Sequence, residues 1–211
     1  MLVNDHRARP QGLVRLTVPE SAAACVVAPR IGEFLRLCPD VELEISVNSG
    51  FLDIVKERFD AGIRLGESVG VGMTSVRVSD MLRSAVVATP GYWALHGRPD
   101  TPADLARHRC INRRYAPGRA LHRWHFARKA EVVEIPCRGP LILDADWLMR
   151  DAALQGAGVA YLAEDSVEAD ITAGRLERVL DDWCPPIFAY YLYHSSQQLP
   201  SAGLSALIEA L

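Results

Sequence analysis

Short apolar strands alternate with helical stretches from one end of this chain to the other, a pattern that restricts it to an α/β fold with largely parallel sheets. Leu13 to Val18 reads as the first strand, stopped by Pro19. Ser21 can cap the helix that follows, whose apolar residues Val27, Ile31, Phe34, Leu35 and Cys38 share one face at helical spacing. Pro29 should bend or restart that helix. Val41, Leu43, Ile45 and Val47 alternate with Glu42, Glu44, Ser46 and Asn48. The second strand therefore buries one face and leaves an acidic face outward, near a sheet edge or against a partner. A helix over 51–59 and strands over Ala61 to Leu65 and Ala85 to Ala88 complete an early α/β unit.

The chain then changes character. Thr89-Pro90 and Thr101-Pro102 each set a capping residue before a proline at the first helical position, so each opens a short helix. Arginine-rich strands and turns follow, then a helix from about Asp146 to Gln155 that Gly156 ends. Strand Val159 to Leu162, helix 165–173 and strand Leu176 to Leu180 extend this second unit. Phe188 to Tyr193 reads as a strand, and Ala202 to Leu211 as an apolar-faced helix capped by Ser201.

The 211 residues, 49% of them hydrophobic, can bury a sizeable core in one or two domains. No run approaches the roughly 18 apolar residues a membrane helix needs. The opening Met1-Leu2-Val3-Asn4-Asp5-His6 lacks the charged and apolar regions of a secretion signal. A cytoplasmic protein without a membrane partner is expected. Cys25, Cys38, Cys110, Cys137 and Cys184 form no Cys-x-x-Cys pair and read as reduced thiols. The formal net charge of -3 is not that of a general nucleic-acid binder. Residues 107–129 nevertheless hold eight Lys or Arg, no acid, and Tyr115, Trp124 and Phe126. That run is a solvated face, a basic wall of an anion pocket, or a single-strand nucleic-acid surface. The acids between Glu164 and Asp182 would partly compensate it.

Phe59-Asp60-Ala61-Gly62-Ile63-Arg64-Leu65-Gly66 resembles a signature of the sensor half of LysR-type transcriptional regulators. Further landmarks follow the family's order. They include Gly12 to Pro19, Cys38-Pro39-Asp40-Val41, Thr89-Pro90-Gly91-Tyr92-Trp93, Ala152 to Ala160, and Gly174-Arg175-Leu176, so that the resemblance covers residues 12–211. It implies a periplasmic binding protein-like type 2 fold, two α/β subdomains joined by two crossover strands with a ligand cleft between them. Mapped here, residues 1–11 are the remnant of a linker. Residues 12–88 with 190–211 form the first subdomain, and 89–189 the second. The resemblance also implies a truncated form that senses an effector without its N-terminal winged helix-turn-helix, the part that binds promoter DNA. Homo-oligomers, dimers or tetramers, would form through residues 22–37, strand 41–47 and helix 146–155.

Ligands in open α/β sheets bind beyond the carboxyl ends of strands and at helix N-termini, here just after Val18, Leu65, Ala88 and Leu143. Ser21 stands where the family touches effector, and equally where a helix needs an N-cap. Arg64 must reach the cleft or find a carboxylate such as Asp60 or Glu67. Thr89, Asn112, Arg113, Asp144 and Asp146 complete the effector-binding set that the resemblance implies. Only one of Asn112 and Arg113 faces the cleft, because side chains alternate along a strand. The arginines suit a carboxylate and the acids a donor-bearing group, so a small polar organic acid fits both.

Catalytic residues, cofactors and metals are not expected. The chain has no Gly-x-Ser-x-Gly elbow, phosphate-binding Gly-rich loop or His-Glu-x-x-His zinc helix. His122 and His125 could share a helix face towards a metal but lack a third ligand at suitable spacing. A transport-type solute-binding protein is the alternative, and an enzyme on the same fold a more remote one.

Overall fold

The computed structural model describes residues 9–50, 53–66, 72–115, 117–186 and 188–211. Strand β1 (Gly12–Val18) leads into α1 (Glu20–Ala22), a π-helical turn (Ala23–Val27) and α2 (Ala28–Leu37). Next come β2 (Val41–Val47), β3 (Ala61–Leu65), β4 (Met73–Arg77), β5 (Ser84–Ala88), α3 (Pro90–His96) and a 3-10 turn (Pro102–Arg107). Strands β6 (Ile111–Arg113), β7 (Trp124–Arg128), β8 (Glu131–Ile135) and β9 (Leu141–Leu143) precede α4 (Asp146–Leu154). The chain finishes with β10 (Ala160–Ala163), α5 (Glu168–Thr172), β11 (Glu177–Val179), β12 (Tyr190–Ser195) and α6 (Ala202–Ala210). Two compact units result, one of residues through Asp80 with Ala189–Leu211, the other of Met81–Phe188.

The first unit is built on a five-stranded sheet in the order β2-β1-β3-β12-β4. β1 runs parallel to β2 and β3, and β12 antiparallel to β3 and β4. Laterally paired residues project to the same side of a sheet, so register separates two faces. Val14, Leu16, Ala61, Ile63 and Leu192 form a fully buried apolar face. Helix α6 packs on it, with Gly203 so near Val14 that a Cβ would lie 3.0 Å from the valine methyl. The other face carries Arg15, Thr17, Gly62, Arg64, Tyr191 and Tyr193. Gly62 leaves room there for the Tyr193 ring, which lies 2.6 Å from where a Cβ would stand. β2 is the sheet edge expected from its alternation. One of its acids, Glu44, binds Arg15 through both oxygens at 2.9 Å.

In the second unit, β5 is flanked by β10 and β11, both antiparallel to it. Val86 and Ala88 join Trp93, Trp124, Phe126, Tyr161 and Trp183 in one core cluster, while Ala85 and Val87 join Met149, Ala160, Leu162 and Leu176 in another. Burial on both faces is why β5 reads as an uninterrupted apolar run. β6 pairs with β9 in parallel, and β7 with β8 as a hairpin. Gly139 and Gly158 let neighbouring chain lie directly against the backbone of Cys110 and Arg109, where any Cβ would collide with a carbonyl oxygen.

Several sequence expectations are corrected. The sheets are mixed, because β12 returns antiparallel in the first unit and β5 has two antiparallel neighbours in the second. Among the described residues β5 pairs only with strands of the second unit. Of the helix expected over 51–59, residues 53–59 form turns; Asp53 binds the N–H groups of Val55 and Lys56, closing a local turn. β4, β7 and β8 were not anticipated as individual strands. The helix expected over 165–173 breaks into a 3-10 turn (Glu164–Ser166) and α5. Pro29 does restart its helix, since regular α geometry resumes at Ala28 after the π-turn.

Candidate functional site

At the first unit, the carboxyl ends of the parallel strands converge with the start of β12. Helix α1 begins at Glu20, with Pro19 as its N-cap residue, so Ser21 lies inside the first turn and is not the cap. Its Oγ accepts a hydrogen bond from the Tyr190 hydroxyl at 2.5 Å. Arg64 lies on the polar face of the sheet. Its guanidinium donates to the carbonyls of Ile63 (2.7 Å), Gly50 (2.9 Å) and Thr17 (3.2 Å), and to Thr17 Oγ1 (3.3 Å). Its Nε is buried with no hydrogen-bond partner.

Every one of those acceptors is neutral. The Asp60 carboxylate considered as a counter-ion is taken by the Arg15 backbone N–H at 2.7 Å. Glu67, the other candidate, lies outside the described residues. Burial therefore pushes the Arg64 pKa below its ordinary value, opposed only by nearby Tyr193. Arg64 is thus a partly buried cation with no carboxylate partner among the described residues, an arrangement that favours an incoming anion.

The second unit treats its arginine differently. Arg113, at the end of β6, forms an ion pair with Asp146 at the start of α4, and both side chains are largely buried at 13% and 9% exposure. Burial opposes the charge on Arg113, but Asp146 and Tyr115 outweigh it and hold the pKa above its ordinary value. The guanidinium also lies over the Tyr115 ring, 4.9 Å from its centroid. The His122 ring stands edge-on to Tyr115 at 5.5 Å, and its backbone N–H donates to the Arg113 carbonyl. Burial, then the positive charges of Arg113 and His125, push the His122 pKa down to about 4, so its imidazole is neutral.

Asn112 and Arg113 have different surroundings. Asn112 is buried, and in the orientation that satisfies its amide it donates to the Cys137 carbonyl (2.9 Å) and accepts from the Gly139 N–H (3.3 Å). It staples the backbone there, whereas the Arg113 side chain meets Asp146. Thr89 Oγ1 accepts from the Tyr92 N–H at 3.2 Å, a helix cap as its sequence position requires. Asp144 is exposed in the turn between β9 and α4. The seven expected residues therefore divide: Ser21 and Arg64 share one end of the first unit's sheet, and Arg113 and Asp146 are in contact in the second.

Sequence reasoning missed Thr17, Tyr190 and Tyr193 beside Ser21 and Arg64, and Tyr115 and His122 beside Arg113. Only the β1–β3–β12 register brings the first three to this end. Three members of the basic run are paired with acids, Arg107 with Asp104, Arg113 with Asp146 and Arg123 with Glu134. The acids between Glu164 and Asp182 mostly serve other arginines, Arg83, Arg150, Arg175 and Arg178. His125 lies on a strand, with Nδ1 3.3 Å from Glu134, which removes the shared helix face assumed for His122 and His125. No cluster of three metal-ligating side chains occurs among the described residues. The Ser21 hydroxyl meets the Tyr190 hydroxyl and the Thr89 hydroxyl a backbone N–H.

The family model for the LysR substrate binding domain matches residues 7–211. A putative transcriptional regulator of Pseudomonas aeruginosa is 41% identical over 205 residues, which are 97% of this chain and 67% of that protein. The HTH-type transcriptional regulator PgrR of Escherichia coli is 32% identical over 209 residues, 99% of this chain and 70% of that protein. Among solved structures, the regulatory domain of CrgA, a LysR-type transcriptional regulator from Neisseria meningitidis, superposes with a TM-score of 0.79 at 23% identity. The match covers 95% of this chain and 97% of that domain, and its likeness is one of fold, consistent with the type 2 periplasmic binding protein architecture.

Proposed function

The chain belongs to the LysR substrate binding domain family, the effector-binding part of LysR-type transcriptional regulators, and from that premise we propose that its effector is a small organic acid whose carboxylate binds Arg64. The observation that carries this reading is the partly buried Arg64 guanidinium, bonded only to neutral oxygens among the described residues. A carboxylate would supply the missing charge in bidentate geometry. Ser21 and Tyr190, at the same end of the sheet, provide hydroxyls for a second ligand oxygen. Thr89, Arg113, Asp144 and Asp146 are the second unit's contribution to effector binding, with Asn112 in a supporting position.

In this reading the chain is a sensor and not an enzyme. Homo-oligomers form through α2, the β2 edge and α4, a reading supported by exposed Leu35, Leu37, Val47, Trp147 and Leu148. Promoter DNA is bound by a winged helix-turn-helix of the whole regulator, in the cytoplasm. Among the described residues no helix is long and apolar enough to cross a membrane.

A thermal-shift screen against small carboxylic acids and their amide isosteres tests the proposal. The expected result is a saturable rise in melting temperature with at least one acid, absent with its amide and abolished by Arg64→Met. A rise that survives Arg64→Met, or one produced by amides alone, contradicts it.

A further inference from the structure

Two arginines of this protein, one partly and one largely buried, are treated in opposite ways. Arg64 has neutral partners only among the described residues, whereas Arg113 is neutralised by Asp146. Around that pair stand groups that carry no charge at neutral pH. The Tyr115 ring lies beneath the guanidinium, and the His122 imidazole is edge-on to Tyr115. Arg113 Nε is buried without a hydrogen-bond partner, so the guanidinium retains a donor after meeting Asp146. The other charges nearby are those of the β7–β8 hairpin, where Glu134 faces His125 and Arg123.

A carboxylate approaching Arg113 would have to displace or share its buried counter-ion, and like charges a few ångströms apart repel strongly where water is scarce. A hydroxyl or amide meets no such opposition at the part of the guanidinium that remains exposed. We infer that Asp146 is a charge-selecting residue: by neutralising Arg113 it makes the Arg113–Tyr115–His122 cluster a site for an uncharged hydroxyl or amide group of the effector and closes it to carboxylates. This rests on the reading of the chain as an effector sensor and adds the ligand chemistry that the second unit accepts.

Benzamide and benzoate, neutral and anionic isosteres, provide the test. Arg64→Met removes the anion site of the first unit, and in that background the Arg113 Nε–H is followed by nitrogen-resolved NMR during titration. Benzamide is expected to shift the signal saturably, and benzoate to leave it unmoved at the same concentrations. Adding Asp146→Asn should lower the apparent dissociation constant for benzoate at least tenfold, and adding Arg113→Met should abolish that gain. Retained backbone amide dispersion establishes that each variant is folded. If Asp146→Asn does not improve benzoate binding, or benzoate already moves Arg113 Nε–H in its presence, the inference is overturned. It is also overturned if neither probe perturbs Arg113 in any variant. Failure of the Arg64 proposal is read separately, as undiminished benzoate binding by the Arg64→Met protein at signals of the first unit.

Discussion

Arg64 on β3 reaches Thr17 on β1 twice, donating to its carbonyl at 3.2 Å and to its Oγ1 at 3.3 Å. Thr17 pairs with Gly62, two residues before Arg64, so both side chains leave the same face of the sheet. The arginine thereby ties strands to the Gly50 carbonyl while keeping a charge that no described acid answers.

Replacement of Arg64 should separate stability from binding. Arg64→Met loses several hydrogen bonds and also removes a partly buried, uncompensated cation, and these effects offset. Urea unfolding should therefore move by less than about 2 kcal/mol. The stabilisation conferred by an acid at a hundred times its dissociation constant, about 2.7 kcal/mol, should disappear. A large loss of stability would instead mark Arg64 as a structural strut.

Gly139→Ala and Gly158→Ala should each destabilise the second unit by about 3 kcal/mol or prevent folding, since each methyl would meet a backbone carbonyl and not a flexible side chain. Gly203→Ala, where a methyl at 3.0 Å from Val14 Cγ2 needs only a small adjustment, should cost less. Thermal unfolding of the three variants, compared side by side, checks the ranking.

Asp170 is 1% exposed and accepts from Arg150 on α4 and from Arg175. Burial raises its pKa, and the two arginines more than reverse that, leaving it below the usual carboxylate range. Asp170→Asn should cost about 2 kcal/mol, because the partly exposed arginines it leaves behind can rehydrate. Its contribution is present above the unfolded aspartate pKa and is lost as pH falls through the lower folded value. Denaturant unfolding of wild type and variant at neutral and acidic pH measures both effects.

His122 gives a second pH signature. Its folded pKa of about 4 lies below the ordinary 6.5, so the unfolded chain binds the proton more readily. The stability from keeping it neutral is complete above about pH 6.5 and is lost as pH falls towards 4, by at most about 3 kcal/mol. His108 shifts in the same direction, chiefly through burial, and adds to the trend. His122→Gln should flatten the stability profile between pH 4 and 6.5, and an unchanged profile would place the titration elsewhere.

Much of the fold was legible because its signals are local. The alternation of β2, the proline after Thr89 and the glycine after α4 each state their structure within a few residues. Ser201 likewise caps α6 as its position announces. What escaped depends on distant pairing. β4 is a half-exposed edge strand without a strong apolar period, defined by its ladder to β12. Ser21 looked like a cap because the residue type is right, but Pro19 takes that place and Tyr190, far along the chain, claims the hydroxyl. The partner of Arg64 was equally hidden, since the nearer Asp60 is used by the Arg15 backbone. His122 carries no sequence mark of its neutral state, which comes from burial beside Arg113.

The most direct measurement is a crystal structure of this domain with the carboxylic acid that gives the largest thermal shift. The account expects the carboxylate within about 3 Å of the Arg64 guanidinium nitrogens. Bound acid elsewhere, with Arg64 still directed only to Ile63, Thr17 and Gly50, would contradict it.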